Sequence, residues 1–472
     1  WSADVHAHET PEGHTVTVTA EPDDGQAFGG WTGICETEQD DTCTLTLDEP
    51  RSAEAYFQGG VAIASRIIGG NGTQNQPSVA ALPGGDVIVC AAGNVTVPTV
   101  DGQVSVAFGN DVFVTRMRPD GSLAWVVRTD GAGDEICHAV ATDSAGDIYV
   151  ALTFSDDVEI GDASLNSVGG SDPLVAKLDA DGEVLWAMRP TFASAGGDTL
   201  KALHLHTDGL LYVSGSSTSG AHLLAIDTET ASAESVAIPH AATSSIAAAP
   251  EGQLYVAGVF VGTYGVNTSH GEQDAYLARM NTSGSLAWSR AIGGSMSGDA
   301  VNAIASDASG RVYIGGTFAG SVTFPTRPAA TACLGVVDWF IAAYDQLGAA
   351  QWVRTGGGSE YDAVNSMATN PAGSSLYVAG FIRGVGTNPV TTQNGVMGTN
   401  GTFLVRMSAN AGGEFVRTFL GDESVENVRL TLTPTRVVLA AAFEGTSKLG
   451  MGPDADDRTA NVRDVFVHFS GL

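Results

Sequence analysis

Five aspartates recur at corresponding places in this chain: Asp134, Asp198, Asp299 and Asp362, with Asp422 in the matching region of a later segment. Carboxylates gathered on one face could bind a cationic partner, or Ca²⁺, which takes several carboxylate and carbonyl oxygens. Each Asp could instead cap a turn through nearby main-chain amides. Recurrence in every well-formed segment fits that structural role better than one site, with the acidic face left as a docking surface for a cationic or polar partner. A second set is His204, His206 and Asp208. Residues two apart on a strand share a face, so the two imidazoles and Asp208 could ligate a metal, although paired histidines on strands more often pack or face solvent. His138 is placed similarly, on a strand near the same axis.

Of the five cysteines, Cys35 and Cys43 flank an acidic turn-like stretch and are expected to close a hairpin disulfide, since no zinc-ligand spacing accompanies them. At least one of the five is unpaired within the chain, and Cys333 reads as a small buried apolar residue. Cys90 and Cys137 fall on neighbouring segments. A bridge between them requires Cα atoms within about 7 Å, and the sequence does not favour it.

The elements that position these residues come from the rest of the sequence. The 472 residues carry 21 basic against 53 acidic side chains, a net charge of −32, with only 16% charged residues and 60 glycines. That balance excludes a nucleic-acid backbone and an anionic membrane surface as partners, because both are bound by Lys and Arg. Only Lys177, Lys201 and Lys448 are lysines, a usage that suggests a secreted chain. The first residue is Trp1, as expected of a processed start or a fragment, and no apolar run is long enough for a transmembrane helix. Short apolar runs separated by Gly, Pro, Asn and Asp clusters predict an all-β protein.

Residues 59–472 repeat. The strand around Tyr149 returns around Tyr212, Tyr255, Tyr313 and Tyr377, with weaker copies at Ile88 and Val438, at spacings of 43 to 64 residues. The short spacing falls where Ala221 to Ile238 looks degenerate. Each unit runs as a first strand after Gly and Asp, a turn such as Asp307–Gly310, the Tyr strand, a variable loop, a third strand opened by Asp, and a fourth around Trp125, Trp186, Trp288 or Trp352. Four antiparallel strands in each of seven units predict a seven-bladed β-propeller. The last unit ends after its third strand, and Val61–Gly70 matches the fourth-strand sequence Leu286–Gly294. The N-terminal strand is therefore expected to close the ring and remove its free edges. Variable loops at Phe154–Ser171, Phe260–Gln273, Phe318–Val337, Phe381–Gly401 and Phe443–Arg463 should open on the channel-mouth face, where specificity sits on a rigid scaffold.

Two resemblances follow. The run from Asp299 to Phe318, and Ser171-Asp172 through Lys177-Leu178, resemble the bacterial SBBP-type β-propeller repeat over about 400 residues, which implies an envelope or secreted protein without a settled activity. Residues 1–57 carry Phe28-x-x-Trp31-x-Gly33-x-Cys35, Cys43-Thr-Leu-Thr-Leu-Asp48 and Ala53-x-Ala-x-Phe57. They resemble the cysteine-bearing bacterial surface repeat related to internalin B-repeats, which implies a small surface-exposed spacer domain. Asp120-Gly121 and Asp181-Gly182 before Trp125 and Trp186 nearly match the Asp-box of sialidases, but the glycine is displaced by one and the serine is missing. Outer-strand tryptophans also resemble quinoprotein propellers, without the adjacent-cysteine disulfide common there. No nucleophile elbow or phosphate loop is present.

The expectation is a secreted or cell-surface protein that binds a protein or glycan at the envelope, without catalysis, through the propeller face and its loops. The competing class is an extracellular enzyme, glycosidase-, lyase- or quinoprotein-like, with its site at the channel mouth. No cofactor is implied beyond Ca²⁺ at the acidic face.

Overall fold

The computed structural model describes side chains over residues 77–93, 111–190, 196–236, 241–270, 273–296, 298–324, 331–370, 372–383, 401–410 and 427–442, with Ile238, Val465, Val467 and Phe469, and elsewhere the backbone of strands. The expected Cys35–Cys43 bridge and Asp422 lie outside the described residues. The chain is all-β. Among the described residues no helix is long and apolar enough to cross a membrane.

The repeating sequence forms seven antiparallel sheets: five have four strands in chain order, the first adds two strands from the next unit to its own four, and the last is completed from the N-terminal side. Unit five is representative, with strands Ala300–Ser306, Val312–Phe318, Asp338–Tyr344 and Ala350–Gly356. Its middle strands are buried along their whole length, while the outer strand Ala350–Gly356 is partly exposed. The seventh sheet takes its fourth strand from Ser65–Ile68, which pairs antiparallel with the last strand, Val465 opposite Ile68 and His468 opposite Ser65. The alternation in Val61–Gly70 thus finds the edge that the last unit leaves open.

Apolar residues collect between sheets, not within them. One cluster joins Ile88, Cys90 and Val114 of unit one to Ile148, Val150 and Leu174 of unit two. Equivalent clusters join each later pair of units, and another joins Val438, Val465 and Val467 of unit seven to Val87, Val89 and Phe113 of unit one. The first strands of the seven units likewise touch in a closed cycle.

Polar straps repeat around this cycle. The fourth-strand tryptophan donates its indole N–H to a turn carbonyl of the following unit: Trp125 to Ala180 at 3.1 Å, Trp186 to Thr228 at 3.1 Å, Trp288 to Gln346 at 3.0 Å and Trp352 to Ala409 at 3.0 Å. A third-strand arginine reaches the same carbonyl in two cases, Arg116 to Ala180 and Arg279 to Gln346, both at 3.1 Å. Gly182 sits beneath the ring of Trp125 with φ +88°, and Gly348 beneath Trp288 with φ +77°. Of the two glycines that looked like imperfect Asp-boxes, Gly182 is there because a Cβ would strike the indole.

Two expectations change. Unit three is not degenerate: Thr199–Leu205, Leu210–Ser217, Gly220–Asp227 and Ala233–Val236 form a full sheet. What it lacks is the loop between its second and third strands, since Ser217 pairs with Gly220 across a tight turn. The loop expected over Phe443–Arg463 is mostly strand, because Arg436–Leu449 and Asp456–Gly471 continue their pairing past the sheet. The loop of unit two forms a hairpin, Val158–Ile160 with Ala163–Leu165, that pairs onto Thr129–Gly131 of unit one.

The cysteines differ from expectation as well. Cys90 on the second strand of unit one and Cys137 on the first strand of unit two form a disulfide, with Cα atoms 6.1 Å apart. Both are fully buried at the interface of these sheets, which brings two strands within bridging distance although 47 residues separate them in sequence. Cys333 is a free, half-buried thiol that accepts from Gly320 N–H and donates to the Gly335 carbonyl, each at 3.2 Å.

Residues 1–59 contribute separate strands. His14–Thr19 pairs with Thr42–Leu47, which pairs with Thr37–Gln39, and Gln26–Gly33 pairs with Ala53–Gly59.

Candidate binding site at the channel mouth

Every first strand with a described register carries a bulge near its start. One residue there has no partner on the second strand: His138, Lys201, Ser244, Asn302 and Asn365 in units two to six. In unit seven, Asn427 and Val428 together oppose Ala441. A bulge re-aims a side chain and locally ends pairing, so this position supplies one side chain per unit to the axis. The recurring Asp or Glu stands three residues before each of the bulge residues His138, Lys201, Asn302 and Asn365.

A cavity of about 430 Å³ opens among these residues. Lys201, Ser244, Asn302, Asn365 and Asn427 line it, joined by Arg429, by Ala363 and Tyr361 at the start of unit six, and by Phe381 and Arg383 at the root of its loop. The bulges are tied together. Ser244 donates its hydroxyl to the Val301 carbonyl, Asn302 its amide to Val364 at 3.1 Å, and Arg429 its guanidinium to Asn365 at 3.3 Å. Tyr361 stacks on Phe381 with ring centroids 5.9 Å apart and planes inclined by 21°, and the Arg383 guanidinium lies 5.1 Å from the Phe381 centroid.

The mouth is cationic in a protein of net charge −32. Lys201 is exposed, and among the described residues neither Lys201 nor Arg429 has a carboxylate partner. Burial pushes the Arg429 guanidinium below its usual value, yet arginine stays charged in proteins. His138 is pushed down to about 4, mainly by burial and further by the charges of Lys201 and Arg429, so it is neutral at physiological pH. Its Nε2 lies 2.9 Å from the Thr153 hydroxyl.

The recurring acids do not form the expected open ring. Asp198, Asp299 and Asp362 are enclosed. Asp299 accepts from Gly294 N–H and Ala319 N–H, each at 3.0 Å. Asp362 accepts from Gly358 N–H and, at 2.6 Å, from Arg383 N–H. Their oxygens therefore pin the crossover between units to the root of the next loop. In unit two Asp134 is exposed and Glu135 takes the enclosed place. Glu135 stands as far from Tyr149 as Asp198 from Tyr212 and Asp299 from Tyr313, a spacing that identifies it from sequence.

A second enclosed series, which open each third strand, went unassigned: Asp111, Asp172, Asp274 and Asp338. Asp172 accepts from Val168 N–H at 2.7 Å and Asp338 from Leu334 N–H at 2.7 Å. The two series meet at unit junctions. Burial first, then nearby carboxylates, raise Glu135 to about 8, with Asp111 as the neighbouring charge. Asp299 and Asp362 rise to about 6, mainly through burial, with Asp274 and Asp338 adding to it.

The histidine set is not assembled. His204 and His206 have ring centroids 5.8 Å apart, but Asp208 accepts from Leu210 N–H at 3.0 Å and from the Tyr212 hydroxyl at 3.1 Å. Among the described residues no three His, Cys, Asp or Glu side chains are grouped to hold a metal ion.

Comparison with known proteins agrees with the reading of the N-terminus. Residues 3–60 match the family described as Divergent InlB B-repeat domain. No curated protein matches the chain. Solved structures similar to it include the WD40 repeats of RRP9, with a TM-score of 0.49 at 8% identity over 87% of this chain and 98% of that one. A protein of unknown function from Dyadobacter fermentans gives 0.42 at 11% identity over 87% and 98%. The dihydro-heme d1 dehydrogenase NirN gives 0.42 at 11% identity over 88% and 71%. These neighbours are β-propeller-like.

Proposed function

We propose that the chain is a secreted or cell-surface binding protein of two parts. Residues 1–57 form a small disulfide-bearing spacer domain, and residues 59–472 a seven-bladed β-propeller, closed by its N-terminal strand, that holds a ligand without transforming it. The observation that carries this reading is the mouth cavity, built from one bulge residue of each of five consecutive units and roofed by an aromatic pair. Its size falls in the range of about 300–1,000 Å³ typical of small-ligand sites. Among the described residues its lining is cationic, amide-bearing and aromatic, which suits holding a ligand. The surface-repeat family matched by residues 3–60 supports a place at the envelope.

The test is a glycan and protein binding screen with the full chain and with Tyr361→Ala in parallel. Ligands retained by the parent and lost by the variant support a mouth-directed binding protein. Turnover of a retained ligand would favour the enzyme reading. Ligands held equally by both proteins would move the site elsewhere.

A further inference from the structure

Resting on that reading, we infer that the mouth takes the carboxylate of an acidic sugar, a uronic acid residue free or at the end of a glycan. Only 21 of 472 residues are basic, yet Lys201, Arg383 and Arg429 converge on one cavity. Lys201 and Arg429 have no carboxylate partner among the described residues, and leaving a half-buried guanidinium without a counterion is unfavourable. Two comparable cations elsewhere meet a carboxylate, Lys177 with Asp147 at 2.9 Å and Arg116 with Asp86 at 2.7 Å, while Arg290 is held by main-chain carbonyls. The cavity is therefore built to receive a negative charge from outside.

The remaining lining selects among anions. Asn302, Asn365 and Asn427 offer both amide donors and carbonyl acceptors, and Ser244 a hydroxyl, which suits a ligand rich in hydroxyl groups. The stacked Tyr361–Phe381 pair supplies an apolar wall with Tyr361 43% exposed, against which the C–H face of a sugar ring can bury area. The protein's overall charge adds a selection of its own. The local cations attract any anion, and the −32 background opposes a ligand more strongly the more negative charge it carries beyond their reach. A singly charged carboxylate on a neutral ring fits that field better than a phosphate or a polyanion.

Calorimetric titration of the full chain with galacturonate, galactose, acetate and inorganic phosphate separates these features. Galacturonate should bind, more weakly as salt rises, with galactose, acetate and phosphate each at least about tenfold weaker, as expected when a charged hydrogen bond or the ring contact is lost. Lys201→Gln, an exposed change that leaves the fold intact, should weaken galacturonate about tenfold and leave galactose unchanged. Arg429→Gln should do the same if its melting temperature shows that it folds. Phosphate binding as tightly as galacturonate, or galacturonate unaffected by Lys201→Gln, would overturn the inference. If a neutral glycan or a protein binds and Tyr361→Ala abolishes it, the acidic-sugar assignment falls while the binding reading stands.

Discussion

Asp338 and Asp362 flank Gly357 so closely that a Cβ on this glycine would meet the carboxylate oxygens of both, that of Asp362 at 2.8 Å. Asp338 opens a strand of unit five and Asp362 precedes a strand of unit six, so two carboxylates are enclosed together at the junction of two sheets. Asp274 and Asp299 repeat the arrangement around Gly293 and Gly294 one unit earlier. Each oxygen pair holds main-chain amides in place, and each pair repels itself when fully ionised.

Stability should therefore fall as pH rises through neutrality. Asp299 and Asp362 are held at about 6 and Glu135 at about 8, above their ordinary values. The folded state thus binds more protons than the unfolded chain between these limits, and unfolding becomes easier with rising pH. The loss begins above the ordinary carboxylate range near pH 4 and is complete near pH 8. Below about pH 6.5, His138 and His204, held at about 4 mainly by burial, oppose the two aspartates, so the melting temperature should decline from about pH 6.5 to 8, and Glu135→Gln should flatten that part. A melting temperature that rises steadily from pH 5 to 8 would contradict the enclosed pairs.

Calcium should change the melting temperature little at fixed ionic strength. A cation stabilises by preferential binding to the folded state, but the oxygens of Asp299 and Asp362 already accept main-chain N–H groups. A rise of several degrees, abolished by Asp299→Asn with Asp362→Asn, would restore the cation-site reading of these acids.

The Cys90–Cys137 bridge links two sheets across 47 residues. Replacing both cysteines by alanine should cost about 2–4 kcal/mol, mostly by freeing the unfolded chain. Mass mapping without reductant should recover the linked peptides, and free thiols at both positions would rule the bridge out.

The tryptophan straps predict a graded pair of variants. Trp125→Phe removes one hydrogen bond to Ala180, whose carbonyl keeps Arg116, and should cost about 1 kcal/mol. Gly182→Ala puts a Cβ 2.9 Å from the Trp125 ring at φ +88°, and should cost about 2 kcal/mol or more through strain alone. Equal melting temperatures for the two variants would mean that the ring does not press on this turn.

Deleting residues 59–68 removes the strand paired with Val465–His468. Val465 and Val467 are fully buried in the cluster that joins the last sheet to the first, so the deletion should leave an open edge and sharply lower the melting temperature. A deletion variant that melts with the parent would refute closure by this strand.

The amino-acid sequence by itself determined the repeat, the strand order within each unit and the strand that completes the last sheet. These follow from alternation of side chains along strands, from turn residues and from the count of units, all local or periodic properties. The enclosed acids were legible only in part: Glu135, Asp198 and Asp299 stand at one distance before Tyr149, Tyr212 and Tyr313, while Asp362 stands one residue further from Tyr377.

Which residues face one another was decided only by the tertiary structure. Bulges turn Lys201, Asn302 and Asn365 out of the strand pairing; each follows a recurring acid by three residues, but that spacing does not reveal a bulge. Net charge pointed to an acidic face, but burial depends on what packs over a carboxylate, and the loop roots that cover Asp299 and Asp362 come from elsewhere in the chain. The same holds for Cys90 and Cys137. Their distance is set by how two sheets pack face to face, a relation between surfaces that no spacing along the chain encodes.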